Sequence, residues 1–181
     1  LATLFQAYPK QKHMSTPQAI LRKRQILPSK GLGQNFLVDK FALKKLVSAS
    51  ELTFADIVLE IGPGLGTLTQ ELAKRARKVI AVEKDGRMIK ILGETLKGFR
   101  NIEVIQEDIL KLNPKLYTLK PYKVVANLPF YLTAPVIRKF LEHENRPELM
   151  ALVTQKEVAQ RIVAKPPYMN LLAVSVQLYA Q

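Results

Sequence analysis

No cysteine and no tryptophan occur in these 181 residues, and histidine appears only as His13 and His143. The missing thiols exclude disulfides, thiolate nucleophiles and zinc–sulfur centres. Two histidines are too few for a multi-histidine metal site, and no metal is expected. No apolar run approaches the ~20 residues of a membrane span; the most apolar tract, Leu171 to Val176, has the length of a strand. Acids are scarce at the start, where residues 1–50 contain Asp39 alone against nine lysines and arginines. These absences predict a soluble chain in a reducing cytoplasm, without membrane contact or oxidative cross-links.

What is abundant is positive charge. Lysine and arginine total 28 against 15 acids, a formal net charge of +13. A field of that sign attracts polyanions, and RNA, DNA and an anionic membrane all qualify. Charge alone does not choose among them, and a basic excess also serves solubility. Residues 1–28 read as a basic arm, interrupted by Pro9, Pro17 and Pro28. His13-Met14 reads as a junction with vector-derived sequence, the native chain then starting at Met14; a targeting peptide is the other reading, though an Arg-rich amphipathic face is missing.

Residues 29–181 carry a regular pattern. Asp39 is placed to cap a helix bearing Phe41, Leu43, Leu46 and Val47. A short β-branched run at Ile57–Ile61 and further short runs at Val79–Glu83, Ile102–Ile105, Lys123–Ala126 and Leu149–Thr154 predict five strands, and Leu171–Tyr179 predicts a sixth. Between them, Leu65–Ala76, Met88–Leu96, Pro135–Leu141 and Lys156–Ile162 have helical spacing. Alternating strands and helices with nearly continuous apolar strands predict a mostly parallel sheet with helices on both faces, an α/β Rossmann-like fold. Ligands of such sheets sit beyond the carboxyl ends of the strands. The residues after each strand are therefore the candidates.

Strand one runs into Gly62-Pro63-Gly64-Leu65-Gly66-Thr67. Glycines at 62, 64 and 66 let the backbone turn tightly and approach a ligand, but the G-x-G-x-G spacing departs from the G-x-G-x-x-G of dinucleotide sites. A ligand without phosphates, such as S-adenosylmethionine, suits it better; a tight turn without a ligand also uses glycine. Glu83 ends strand two, where a carboxylate can accept both hydroxyls of an adenosine ribose. Asp108 follows strand three and can accept from an adenine amine or cap the next turn. Strand four ends in Asn127-Leu128-Pro129-Phe130. Here Asn127 and the Leu128 carbonyl, held by Pro129, can accept the two hydrogens of an exocyclic base amine. Phe130 offers a face on which an extruded base can stack. A proline-bounded turn with buried aromatics is the other reading.

These segments, with Gln34-Asn35-Phe36-Leu37-Val38-Asp39 and Gln155-Lys156-Glu157-Val158-Ala159-Gln160-Arg161, stand in the order and spacing of one family. The chain resembles the ribosomal RNA adenine N6-dimethyltransferases, most of all the bacterial small-subunit type, from about Ser29 to Ala180. The resemblance implies a class I S-adenosylmethionine-dependent methyltransferase fold and dimethylation of two adjacent adenosines near the 3′ end of small-subunit ribosomal RNA. It places the cofactor against Asn35, Leu37, Gly62, Glu83, Asp108 and Asn127, beside the Gly64 and Gly66 turn. The implied partner is that RNA in an immature small subunit, with the enzyme acting as a monomer. Charge alone nominates Arg22, Lys23, Arg24, Lys30 and Lys156 for the RNA backbone. Family members continue into another strand and a small helical domain, so a gap or an exposed edge is expected beside the fifth strand. Phe130 also departs from the Tyr common in the small-subunit group, which keeps transfer to large-subunit RNA as an alternative. A catalytically vestigial assembly factor is a second alternative. A small-molecule methyltransferase needs neither the charge nor the stacking motif.

Overall fold

The computed structural model describes residues 39–112 and 121–180. Five parallel strands form one sheet: β1 (Ile57–Ile61), β2 (Lys78–Glu83), β3 (Ile102–Gln106), β4 (Lys123–Asn127) and β5 (Leu149–Val153). Their order is β3-β2-β1-β4-β5. Among the described residues six helices accompany them: α1 (Lys40–Ala49), α2 (Thr67–Ala73), α3 (Gly86–Thr95), α4 (Phe130–Leu141), α5 (Lys156–Ile162) and α6 (Leu171–Gln177).

The alternation of strand side chains divides the core in two. Leu59, Ile61, Ile80, Val82, Val124 and Ala126 pack on one face with Val136 and Phe140 of α4. Val58, Val79 and Val125 face the other way, against Leu46 and Val47 of α1 and Leu68, Leu72 and Ala73 of α2. Every residue of β1 is buried, which is why its sequence shows no polar alternation. Asp39 caps α1 as its position predicts, its carboxylate accepting from the amides of Phe41 (2.7 Å) and Ala42 (3.4 Å).

The chain reverses its direction of winding between β3 and β4, which lie on opposite sides of β1. In register, Ile61 lies beside Val82 of β2 and Ala126 of β4, so both neighbouring strands end level with the glycine turn. This switch point opens a crevice at the carboxyl edge.

Two expectations need correction. The segment 171–179 is not a sixth strand; α6 occupies 171–177. A short, mostly apolar run does not separate strand from buried helix by periodicity. Here the Asn170 side chain decides, accepting from the Ala173 amide at 3.1 Å as an N-cap. Gln177 Nε2 ties α6 to the end of α5 by donating to the carbonyls of Ile162 (2.8 Å) and Ala164 (3.0 Å). Among the described residues β5 therefore forms the edge of the sheet, with no strand beyond it. Second, α4 begins at Phe130 rather than Pro135, with Pro129 in the capping position. Pro135 thus lies inside the helix, where it removes one backbone hydrogen bond. Burial of Val136, Ile137, Phe140 and Leu141 holds the helix nonetheless.

Candidate active site

A cavity of about 230 Å³ lies at the switch point, walled by the carboxyl ends of β1, β2 and β4 and by the turn after β3. Gly62, Gly64, Glu83, Asp108, Asn127, Leu128 and Pro129 all line it, so four separate segments of sequence converge there. Gly62 has φ +67° and no atom within 4 Å of where a Cβ would stand. Its missing side chain leaves space on the cavity side.

The glycine turn is held from the neighbouring strand. Glu83 Oε2 accepts from the Gly64 amide at 3.2 Å, while Oε1 accepts from the Asp85 amide at 2.8 Å. Glu83 is 7 % exposed. Burial raises its pKa, and the amides of Asp85 and Gly64 offset only part of that. Asp85 in turn caps α3, accepting from the Arg87 amide at 2.9 Å, and pairs with the Arg87 guanidinium at 2.6 Å.

Asp108 lines the cavity from the turn after β3. Its Oδ2 accepts from Lys84 Nζ at 2.9 Å and its Oδ1 from the Leu110 amide at 3.0 Å. Burial works against the charge of Asp108, but Lys84 and the Leu110 amide outweigh it and hold its pKa below the usual value. The ion pair between Lys84 and Asp108 has no counterpart in the sequence reading. Nothing in the spacing of the two residues announces it.

Gly66 departs from its expected place. It is not on the cavity wall; with φ +81° it caps α2, and a Cβ there would come within 3.0 Å of Leu96 Cδ2 and Thr95 Oγ1. Its glycine identity answers to packing against α3.

Asn127 ends β4 opposite Val153 of β5, and the Leu128 amide donates to the Val153 carbonyl at 3.1 Å. Pro129 restricts Leu128 to extended backbone and opens α4. The Thr133 hydroxyl, fully buried, lies 3.3 Å from the Pro129 carbonyl and 3.2 Å from the Thr154 hydroxyl. This fixes the motif against the end of β5. Tyr131, 47 % exposed, lines the cavity, whereas Phe130 stands outside its wall and is 62 % exposed. The two rings meet edge to face with centroids 5.8 Å apart.

Glu60 is the residue the sequence reading missed. It sits within β1, is 1 % exposed and lines the cavity, and neither carboxylate oxygen has a hydrogen-bond partner. Burial, with the charge of Glu83 nearby, pushes its pKa up to about 8, the Thr69 hydroxyl offsetting part of the rise. The only signal in the sequence is a lone acid in an otherwise apolar strand.

Lys156 is exposed at the first position of α5, directly after β5 and so at the same edge of the sheet. Asn35, Leu37, Arg22, Lys23, Arg24 and Lys30 lie outside the described residues, as does the basic arm 1–28. Among the described residues, no three of His, Asp and Glu are grouped so as to hold a metal ion, and no helix is long and apolar enough to cross a membrane.

Comparison with known proteins places this architecture. Residues 28–181 match the family model for ribosomal RNA adenine dimethylase. The chain is 51% identical over 152 residues to the ribosomal RNA small subunit methyltransferase A of Dehalococcoides mccartyi strain BAV1, covering 83% of this chain and 52% of that protein. It is 41% identical to the protein of the same name from Halothermothrix orenii, covering 94% of this chain and 60% of the relative. The chain thus spans 52% to 60% of the length of these relatives. Among solved structures, 23S rRNA methyltransferase ErmE superposes with a TM-score of 0.65 at 38% identity, over 70% of this chain and 50% of that one. A dimethyladenosine transferase from Plasmodium falciparum gives 0.67 at 33% identity, over 77% of this chain and 51% of the other. The fold is the α/β class I methyltransferase fold, and the chain belongs to the ribosomal RNA adenine dimethylase family.

Proposed function

We propose that the chain methylates the N6 amine of adenine, twice per base, on two adjacent adenosines near the 3′ end of small-subunit ribosomal RNA, with S-adenosylmethionine as donor. The observation that carries this reading is the position of Asn127-Leu128-Pro129 at the end of β4, on the wall of the cavity that Glu83 and Gly62 also line. The names of the relatives, ribosomal RNA small subunit methyltransferase A, support the same RNA.

The cavity fits the donor in three respects. Gly62 lines it with open space where a Cβ would stand. Glu83 has lone pairs for ribose hydroxyls beyond those that its two amide partners use. Finally, Glu83, Asp85, Glu107 and Asp108 line the wall, against Lys84 on the wall itself and Arg87 paired with Asp85. That excess of carboxylates, in a chain of net charge +13, favours a cation over a pyrophosphate. Bound there, S-adenosylmethionine supplies a methyl group on a positively charged sulfur.

The adenine amine is a poor nucleophile because its lone pair is delocalised into the ring. Acceptance of its two hydrogens by the Asn127 side-chain oxygen and the Leu128 carbonyl favours a pyramidal nitrogen with its lone pair freed. Such alignment supplies up to ~7–11 kcal/mol in favourable cases. No strong base is needed, since the nitrogen becomes cationic as the new bond forms and loses its proton readily. The base must leave its stack, at a cost of a few kcal/mol. Tyr131 and Phe130 offer aromatic surface at the mouth, and Lys156 stands at the same edge for phosphate.

A second reading is transfer to large-subunit RNA. Phe130 favours it, and so does the 38% identity to a 23S rRNA methyltransferase. Incubation with methyl-labelled donor and each unmethylated ribosomal subunit, followed by mass spectrometric mapping of both RNAs, separates the two. Dimethyladenosine pairs in the small-subunit RNA support the first reading; label confined to large-subunit adenines overturns it.

A further inference from the structure

Glu60 plays no part in the reading above, yet its setting is unusual. A carboxylate that is 1 % exposed with both oxygens unpartnered is costly to ionise, and such groups are rare unless a ligand or a proton completes them. Its surroundings supply no cation. β2 brings Ala81 alongside in register and the acid Glu83 at its end; β4 brings Val125. From α2 comes the buried Thr69 hydroxyl, which offsets part of the rise in the Glu60 pKa. The charge that acts on Glu60 is that of Glu83, of the same sign. The residue itself belongs to the wall of the cavity, together with Gly62 and Asn127.

We propose that Glu60 is a proton-linked counter-charge for a cationic ligand: it carries a proton while the cavity holds no cation, and releases it when the positively charged donor enters. The inference rests on the reading of S-adenosylmethionine as the ligand and adds to it a charge switch inside the site. The step balances simply. The O–H bond of the Glu60 carboxyl breaks, its electron pair stays on the carboxylate, and the proton passes to solvent. Nothing is oxidised or reduced. Ionisation becomes favourable because the incoming positive charge supplies the Coulomb attraction that the walls lack.

A group that titrates near pH 8 when the site holds no cation then makes donor affinity depend on pH. By linkage, affinity rises about tenfold per pH unit on the acid side of that value and levels off above it. The donor's own amine titrates in a similar range, so the comparison of wild type with E60Q isolates Glu60.

Calorimetric titration of S-adenosylmethionine into the protein near neutral pH, in buffers of differing ionisation enthalpy, counts the protons exchanged. Wild type is expected to release about one proton more than E60Q, and the pH slope of affinity is expected to flatten in E60Q. Binding with equal proton exchange in the two proteins overturns the role of Glu60 and leaves the site assignment standing. Absence of binding to folded wild type overturns the site assignment, and the inference with it. A variant-free readout accompanies these titrations. The infrared carbonyl band of a buried protonated carboxyl is expected in the ligand-free protein at neutral pH and disappears on adding S-adenosylmethionine; a band that persists contradicts the switch.

Discussion

The carboxylate of Glu83 accepts the amide hydrogen of Gly64 at 3.2 Å, joining the end of β2 to the turn that follows β1. One acid thus fixes the shape of the glycine turn and, in the proposed reading, holds the ribose of the donor. The two tasks are separable because a carboxylate has more lone pairs than two amides consume.

Removing this acid should therefore be felt twice. Glu83→Ala leaves the amides of Gly64 and Asp85 without their acceptor, a loss of about 1–3 kcal/mol for each group that stays buried and unpaired. It also weakens S-adenosylmethionine binding. Thermal melts and calorimetry on the same preparation read both effects. Unchanged affinity in the folded variant removes Glu83 from the ligand site.

Gly66→Ala separates packing from binding. The new Cβ meets Leu96 and Thr95 at 3.0 Å in a left-handed backbone conformation. The expected cost is about 1–3 kcal/mol of stability, read as a lowered denaturant midpoint. Donor affinity of the folded fraction stays within a few-fold of wild type. A selective loss of affinity with normal stability places Gly66 in the site after all.

Asn127→Ala tests the grip on the target amine. Turnover on unmethylated ribosomal RNA is expected to fall about 10²–10³-fold, the scale on which a single positioned polar contact acts. Affinity for the donor, measured separately, changes little. Equal turnover in the two proteins rejects the role assigned to Asn127.

Stability should vary with pH from both sides. The pKa of Glu60 is raised in the fold from 4.5 to about 8, so between those values the folded state binds more protons than the unfolded one. Stability therefore declines as pH rises through that window. Asp56 and Asp108 act in the opposite sense. Burial opposes ionisation of Asp56, but Thr53 and Lys123 outweigh it, and both acids are depressed below 3.8. Their contribution is present above 3.8 and is lost as pH falls below it. Melting temperatures across pH are expected to place E60Q above wild type on the alkaline side and level with it near pH 4. A constant difference at every pH contradicts the assignment of Glu60 as a proton-holding group.

The strands were legible because each is a short, mostly apolar run, and β1 to β4 are followed by turns that carry their own chemistry. Gly62, Glu83, Asp108 and Asn127 each occupy such a turn, and a parallel sheet gathers strand ends at one edge. Asp39 was equally plain, since a cap acts on amides two and three residues away. What escaped the sequence was tertiary. G-x-G-x-G does not say that Gly62 faces the cavity while Gly66 faces α3. Leu171–Gln177 is too short for periodicity to distinguish helix from strand, and Asn170 settles the matter by a local hydrogen bond. Glu60 looks like an ordinary strand acid until the sheet closes over both faces of β1.

The account depends most on where the methyl donor lies. A crystal structure of the protein with S-adenosylmethionine or an unreactive analogue bound is the direct measurement. The account predicts ribose hydroxyls within hydrogen-bond distance of Glu83 and the sulfur end of the ligand directed toward Asn127 and Leu128. A donor bound away from the ends of β1, β2 and β4, or one that leaves Glu83 without contact, would contradict it.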